Sequence, residues 1–497
     1  MSTYILAIDQ GTTGTTVMIL SHEAKVIARA SAEFEQRYPQ PSWVEHDPEA
    51  IWGSLRTALP KALNQAGIKA SQIEGIGITN QRETALMWDR RDGRSLHHAI
   101  VWQDRRTASH CQTLNEEGHE PLFRQRTGLL LDPYFSGTKY RWLLDHVDGA
   151  RSLAADGHVA LGTVDSYLLH RLTGGAAHMT DVTNACRSLL FDIHTLSWDQ
   201  ELCEIMQVPS RALPEVSDSA SVFGHTQGLD ILPDGIPIAA MAGDQHAALF
   251  GQTCFNEGDA KCTYGTGAFL LMNTGERAIA SEHGLLSTIA WRYRGQTCYA
   301  LEGSAFIAGA AVQWLRDGLG IIAHSSEVED LAQSVSSTGD VVFVPALAGL
   351  GAPHWDPQAR GMLWGLTRDS HKGHIARAVL EGIAMQIVDL SYAIEADAGK
   401  QMNYMRVDGG ASQNNLLMQV QSNLLNRAVV RPTEIETTAL GAGYLAGLSL
   451  GVFPDLETVR KLHQIERRFE PKMSSAARDY FVERWRHAIV RARRAVS

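Results

Sequence analysis

The sequence predicts an α/β protein made of two related units, and three observations carry that reading. A strand, a Gly/Thr-rich turn and a second strand occur twice, at 4–20 and at 260–272. Short apolar strands that end in polar loops alternate with amphipathic helical runs. The chain has 497 residues, 44% hydrophobic and 20% charged, which is ordinary globular usage and enough for two large domains or three smaller ones.

In order along the chain, Tyr4–Ile8 reads as a strand, Asp9–Thr16 as a turn and Val17–Leu20 as the returning strand, with a further strand at Lys25–Ala30. Asp47 and Pro48 read as an N-cap and a first-turn proline. From there to Ala66, Ile51, Leu55, Leu59 and Leu63 recur every four residues and mark one helix face, with Pro60 inside the run. Ile73–Thr79 reads as a strand. The second hairpin follows: Ala260–Thr263, the turn Tyr264–Gly267, then Ala268–Met272, with a later strand at Thr297–Leu301. Ile375, Val379, Ile383, Ile387, Leu390 and Ile394 predict a helix over 374–396. Met405–Val407 predicts a strand, Gln413–Leu425 a helix and Ser474–Val496 a final helix whose arginines lie on a solvated face. The repeat places the boundary between units near residue 250.

The formal net charge is −11, which argues against nucleic acid as a partner because phosphate backbones need a basic footprint. A small phosphorylated ligand is compatible, since it needs only local donors. The six cysteines, at 111, 186, 203, 254, 262 and 298, show no C-x-x-C or zinc spacing and read as free buried thiols in a reducing compartment. The apolar run at Tyr4–Ile8 is too short for a signal peptide, and no stretch reaches the roughly 18 apolar residues of a membrane-spanning helix. The expectation is a cytoplasmic protein with no membrane insertion.

No G-x-x-x-x-G-K-[ST] motif occurs, and a loose G-x-G-x-x-A at Gly441, Gly443 and Ala446 lacks a preceding strand, so its small residues read as tight helix packing. The turn Asp9–Thr16 is more informative. Its amides and four threonine hydroxyls suit phosphate oxygens, and Asp9 at its mouth suits magnesium, which takes one or two carboxylates plus phosphates. A Thr-rich β-turn with an Asx cap is the bland alternative. Gly265-Thr266-Gly267 repeats the texture, and Asp408-Gly409-Gly410-Ala411 sits between a strand and a helix N-terminus. Three such turns point to nucleotide binding.

At these residues the chain resembles the FGGY carbohydrate kinases, from Ile5 to about Pro471. The matching blocks include GITNQRET (77–84), AIVWQDRRT (99–107), DPYFSGTK (132–139), AGDQHAALFGQ (242–252), TYGTGAFLLMNTGE (263–276), GLGAPHWDPQARG (349–361) and VDGGASQNN (407–415). The resemblance implies two ribonuclease-H-like domains of the actin/hexokinase type flanking a catalytic cleft. The expected domains are 1–250, with the polyol site and first phosphate loop, and 251–497, which binds nucleotide. It implies ATP-dependent, magnesium-assisted transfer of phosphate to glycerol, giving sn-glycerol 3-phosphate, in a homodimer or homotetramer.

Carried over by position, Asp244 is the catalytic base, an Asp that its place after Gly243 also suits to helix capping. Arg82, Glu83, Tyr134, Asp244 and Gln245 contact polyol hydroxyls, and Trp102 and Phe269 wall the pocket; without this motif the aromatics would read as core and Arg82-Glu83 as a surface ion pair. Thr12, Thr13, Gly14, Thr266, Gly309, Gln313, Gly410 and Asn414 hold the nucleotide, and Asp9 and Asp244 the metal.

Two departures stand out. Thr16 occupies a position where the family's glycerol-phosphorylating members commonly carry a phosphate-reaching arginine. The segment 226–236 and the stretch 469–480 lack the family's regulatory motifs, so no regulatory mechanism carries over. Two rival readings are a kinase of another small polyol or sugar, and a nucleotide-dependent regulator of the same fold. The complete Arg82/Glu83/Tyr134 set argues against the second, since a nucleotide switch needs no polyol pocket.

Overall fold

Residues 3–494 are described in a computed structural model of the chain; the predicted helix end at Val496 lies outside the described residues. In the first unit, β1 (Tyr4–Gln10) and β2 (Gly14–Leu20) form the expected hairpin, and β3 (Val26–Glu33) continues it antiparallel. Helix α1 (Pro48–Ala66) starts where Asp47 accepts a hydrogen bond from the Glu49 amide at 2.9 Å and stops at Gly67, whose φ is +65°. It runs through Pro60, which sits on the exposed face. The strand β4 (Ile73–Asn80) pairs parallel with β1, and β5 (Gly224–His225) and β6 (Pro237–Gly243) complete a six-stranded sheet in the order β5-β6-β4-β1-β2-β3. Between β4 and β5 the chain inserts short helices and two-stranded pairs.

Helix α2 (Asp244–Gly251) leads to the second unit, whose strands are β7 (Ala260–Tyr264), β8 (Ala268–Gly275), β9 (Leu286–Tyr293), β10 (Gln296–Ala305), β11 (Met405–Asp408), β12 (Val429–Pro432) and β13 (Ile465–Phe469). Their order is β9-β10-β8-β7-β11-β12-β13. Strands β7, β8, β10, β11, β12 and β13 repeat β1, β2, β3, β4, β6 and β5 in order and pairing direction, with β9 added at the edge. The helices of this unit used below are α3 (Gly309–Asp317), α4 (Lys372–Ala398), α5 (Asn415–Leu425), α6 (Thr437–Ser449) and α7 (Ser475–Arg494).

The apolar runs of β1 and β2 are continuous because both faces are covered. Leu6, Ile8, Val17 and Ile19 pack with Ile51, Leu55 and Leu59 of α1, while Ile5, Ala7, Met18 and Leu20 pack with Ala439, Ala442 and Ala446 of α6. The same division holds in the second unit. Cys262, Tyr264, Leu270 and Met272 face Ile383 and Ile387 of α4, and Leu271, Ala290 and Ala300 face the first unit. The loose glycine motif thus lies within α6 and serves packing: a Cβ at Gly441 would sit 1.8 Å from the Ala247 carbonyl oxygen, and one at Gly251 2.0 Å from that of Thr437. Helices α2 and α6 cross there, backbone against backbone, between the two sheets.

The final helix is half-buried rather than solvated all round. Trp485, Ala488, Ile489 and Ala492 enter the second core, while Arg484 and Arg493 pair with Asp340 and Asp356. All six cysteines are free, five of them buried. Among the described residues, no helix is long and apolar enough to cross a membrane.

Candidate active site

The polyol residues predicted from sequence converge at the carboxyl ends of β4 and β6, the strand ends where open α/β sheets bind ligands. Arg82 and Glu83 follow β4 after Gln81, and Glu83 holds φ at +61°, a left-handed conformation unusual outside glycine. Its carbonyl accepts from the Ser136 hydroxyl at 3.1 Å, and the Thr84 amide donates to the Arg82 carbonyl at 2.8 Å. This turn aims two charged side chains into a buried space: Arg82 is 2% exposed and Glu83 1%.

Arg82 is the hub. Its Nη1 and Nη2 donate to Glu302 at 2.6 and 3.0 Å, its Nε lies 3.2 Å from Asp244 Oδ1, and Nη2 also approaches the Tyr134 hydroxyl at 3.3 Å. Arg187 bridges the two glutamates, with Nε 2.6 Å from Glu83 and Nη2 3.1 Å from Glu302. Burial pushes the Glu83 carboxyl above its ordinary range, with Glu302 adding to the shift and the two arginines opposing it. At Glu302 burial acts the same way, but Arg187 and Arg82 outweigh it and hold that carboxyl far below the usual range. Trp102 packs edge-on to Tyr134 with ring centroids 5.7 Å apart, and its indole Nε1–H donates to Thr12 Oγ1 at 3.0 Å. One side chain therefore ties the cluster at Tyr134 to the first Gly/Thr turn.

Asp244 is the first residue of α2, and Gly243, not Asp244, is the N-cap. Its Oδ1 accepts from the Gln245 amide at 2.7 Å and faces Arg82, and no hydrogen bond among the described residues engages Oδ2. Burial raises its pKa, opposed by Arg82, the Gln245 amide and Lys261. Gln245 gives its Oε1 to the ammonium of Lys261 at 2.5 Å, so its Nε2 hydrogens remain for another acceptor. Phe269, the other predicted wall, lies on β8 beside the core between the units, on the sheet face that also carries Lys261, Thr263 and Glu302.

In the first Gly/Thr turn Thr12 is half-buried and Thr13 exposed. Gly14 is required by β3, because a Cβ there would sit 2.7 Å from the Ala32 carbonyl oxygen. In the second, Thr266 is exposed while its carbonyl accepts from the Ala308 and Ala310 amides at 2.8 and 3.1 Å. This clamps the turn to the N-terminus of α3, where Gly309 donates to the Gly265 carbonyl at 2.9 Å. Gln313 is exposed one turn further along α3. The third turn backs onto the second: Gly409, at φ +81°, lies against Tyr264, and Gly410 borders open space. Asn414 caps α5 through Oδ1, which accepts from the Leu417 amide at 2.8 Å.

Asp9 stands at the end of β1, directly across from Thr16. Its pKa is raised well above the ordinary value by burial, by Asp244 and by Glu436. A carboxyl whose pKa a second carboxylate raises fits the one or two carboxylates that magnesium takes when nucleotide phosphates supply its other ligands. Among the described residues no three His, Cys, Asp or Glu side chains are grouped to hold a metal unaided. Thr16 shares a hydrogen bond of 2.8 Å with Ser31, and Arg29, two residues before Ser31 on the same face, pairs with Glu434 at 3.3 Å and Glu436 at 3.5 Å.

Sequence reasoning missed Glu302, Arg187 and Lys261. No local signal marks Glu302, a lone acid within a strand, and Arg187 lies in the insertion. Lys261 carried one: a lysine in an otherwise apolar strand next to the second Gly/Thr turn.

Two α/β units of matching strand order, with Gly/Thr turns beside a buried cluster of charged and hydroxyl-bearing side chains, fit a sugar or polyol phosphotransferase. The chain belongs to the FGGY family of carbohydrate kinases, matching the family's N-terminal domain over residues 4–251 and its C-terminal domain over 260–450. It is 55% identical over 491 residues to a glycerol kinase of Myxococcus xanthus, covering 98% of this chain and 99% of that protein. It is 53% identical over 492 residues to a glycerol kinase of Bdellovibrio bacteriovorus, covering 99% of each. Among solved structures, glycerol kinase of Plasmodium falciparum with ADP superposes with a TM-score of 0.92 at 36% identity, covering 99% of this chain and 98% of that one.

Proposed function

We propose that this chain transfers the γ-phosphoryl group of ATP to glycerol, giving sn-glycerol 3-phosphate and ADP. The observation that carries this reading is the hub at Arg82, in which every polyol-type residue named from the sequence except Phe269 meets within one hydrogen-bonded or ring-packed cluster, directly beside the first phosphate turn. The likeness to glycerol kinases over nearly the whole chain supports the substrate. The domains are read as 1–250 and 251–497, meeting at α2 and α6.

The chemistry follows from the donors and acceptors. A hydroxyl donates one hydrogen bond and accepts others. Gln245 Nε2 and Arg82 present donors, Asp244 Oδ2 and Glu83 Oε2 present acceptors, and the Tyr134 hydroxyl does either. The set therefore matches a chain of hydroxyls. Asp244, with Oδ1 pinned by Arg82 and its neighbouring amide, takes the proton of the attacking hydroxyl through Oδ2 as the oxygen bonds to the γ-phosphorus and ADP departs. Trp102 and Phe269 cover the carbon edge. Thr12, Thr13 and Gly14 from the first unit, with Thr266 from the second, hold phosphate oxygens, while Gly309, Gln313, Gly410 and Asn414 border the rest of the nucleotide. Asp9 and Asp244 would hold magnesium, which when bound neutralises phosphate charge.

An ADP-release assay with magnesium and ATP across glycerol, erythritol, dihydroxyacetone and a pentulose tests the substrate. Glycerol is expected to give the highest kcat/KM; a higher value with any of the others reassigns the substrate.

A further inference from the structure

The register of the second sheet puts four chemistry-bearing side chains on one face. Lys261 pairs with Leu271 and Leu271 with Glu302, so these three form one row across β7, β8 and β10. The adjacent row on the same face, two residues along, is Thr263, Phe269 and Ser304. This face turns toward the first unit and sits under α2. A row of a buried sheet is expected to be apolar, yet here both ends are charged and fully buried, Lys261 at 0% exposure and Glu302 at 1%. A buried charge is costly unless a fixed partner is supplied. Both partners belong to the first unit and lie at the polyol pocket: Glu302 grips Arg82 through two bonds, and Lys261 grips Gln245 while also donating to Thr263 Oγ1 at 2.8 Å.

We propose that Glu302 and Lys261 are positioning residues for the polyol, and that the polyol pocket is thereby shared between the two units. Neither faces the substrate. Glu302 occupies the far side of the Arg82 guanidinium, which leaves Nε toward Asp244 and Nη2 toward Tyr134. Lys261 can only donate, so it fixes which way the Gln245 amide points and leaves the NH2 group as the one available to the substrate. Arg187 completes the frame by tying Glu302 to Glu83. The strand that carries Glu302, β10, and its neighbour β9 are themselves held to the first unit, by the Tyr299 hydroxyl on the Ile193 carbonyl at 2.7 Å and the Ser287 amide on the Gly128 carbonyl at 3.0 Å. Polyol affinity thus depends on the seating of the second unit, whose phosphate turn holds the nucleotide.

This inference rests on the polyol-kinase reading, and the test separates the two. The full chain and its Glu302→Asp, Glu302→Gln and Lys261→Met variants are compared by steady-state kinetics, varying glycerol and magnesium-ATP in turn, with thermal midpoints measured alongside. Glu302→Asp and Lys261→Met are expected to raise KM for glycerol about tenfold, the scale of one lost charge-assisted hydrogen bond, while KM for magnesium-ATP stays within about twofold. Glu302→Gln is expected to be worse than Glu302→Asp, because the retained charge partly rescues. If Glu302→Gln does not fold, Glu302→Asp and Lys261→Met carry the test. Equal changes in both KM values, or no change in either, overturn the positioning role while leaving the function standing. A wild-type chain that phosphorylates no polyol overturns the functional reading and this inference with it.

Discussion

Thr16 leaves the first Gly/Thr turn without a side-chain cation at its own position. It faces Asp9 across the first hairpin and spends its hydroxyl on Ser31, so it contributes no charge to the phosphates. The cation on this face is Arg29, already paired with Glu434 and Glu436. An arginine at 16 would extend over Asp9 toward the nucleotide, so Thr16→Arg is expected to lower KM for magnesium-ATP severalfold and leave KM for glycerol unchanged, measured by ADP release. Glu381 offers a pH-dependent counterpart away from the site. Burial lifts its carboxyl from 4.5 to about 7, with Arg377 opposing through a 3.1 Å contact. A folded-state pKa above the unfolded one gives stability that is complete below 4.5 and lost as pH rises to about 7, an effect of about 3 kcal/mol for the ionised group. Urea midpoints of Glu381→Gln should accordingly vary less between pH 5 and pH 8, about the range of the titration, than those of the wild type. At this scale the sequence revealed the residues that stand in consecutive motifs, such as Arg82-Glu83 and Asp244-Gln245. Glu302 and Lys261 were illegible because they become neighbours of the pocket only through strand register, and a row across three strands leaves no run in the chain.

Helix α1 was legible because its signals are local: Asp47 and Pro48 at the start and a four-residue apolar spacing that runs on to Ala66. The insertion between β4 and β5 was not, since its strands are two to four residues long and take their geometry from the cores they border. The crossing of α2 and α6 gives the element scale its sharpest prediction. Gly441→Ala places a methyl group 1.8 Å from the Ala247 carbonyl oxygen, and is expected to destabilise the protein by about 3 kcal/mol through overpacking of the two backbones. Gly53 lies within α1 with nothing inside 4 Å of an added Cβ, so Gly53→Ala should stabilise by about 0.5–1 kcal/mol through helix propensity. Urea denaturation of both variants checks the pair, and a Gly441→Ala midpoint equal to wild type would contradict the close crossing.

Across the whole molecule, the duplication read from two Gly/Thr turns corresponds to two sheets of matching strand order, each contributing what the other lacks. The first holds Asp244, Arg82 and Glu83. The second holds Thr266 and the glycines of the outer turns, and it also sends Glu302 and Lys261 across to the first. A net charge of −11 sets an unfavourable overall field for ATP, so on the proposed reading it is held by oriented amides, hydroxyls and a metal rather than by surface cations. On the proposed mechanism Asp244, a half-buried carboxylate held by Arg82, takes the proton from a polyol bound at the Arg82 hub. Glycerol-dependent ADP release by Asp244→Asn, with ATP binding followed by calorimetry, checks that proton transfer. Turnover is expected to fall by about 10³-fold, within the range for loss of a general base, with ATP affinity retained within a few-fold. Turnover within about tenfold of wild type would contradict it.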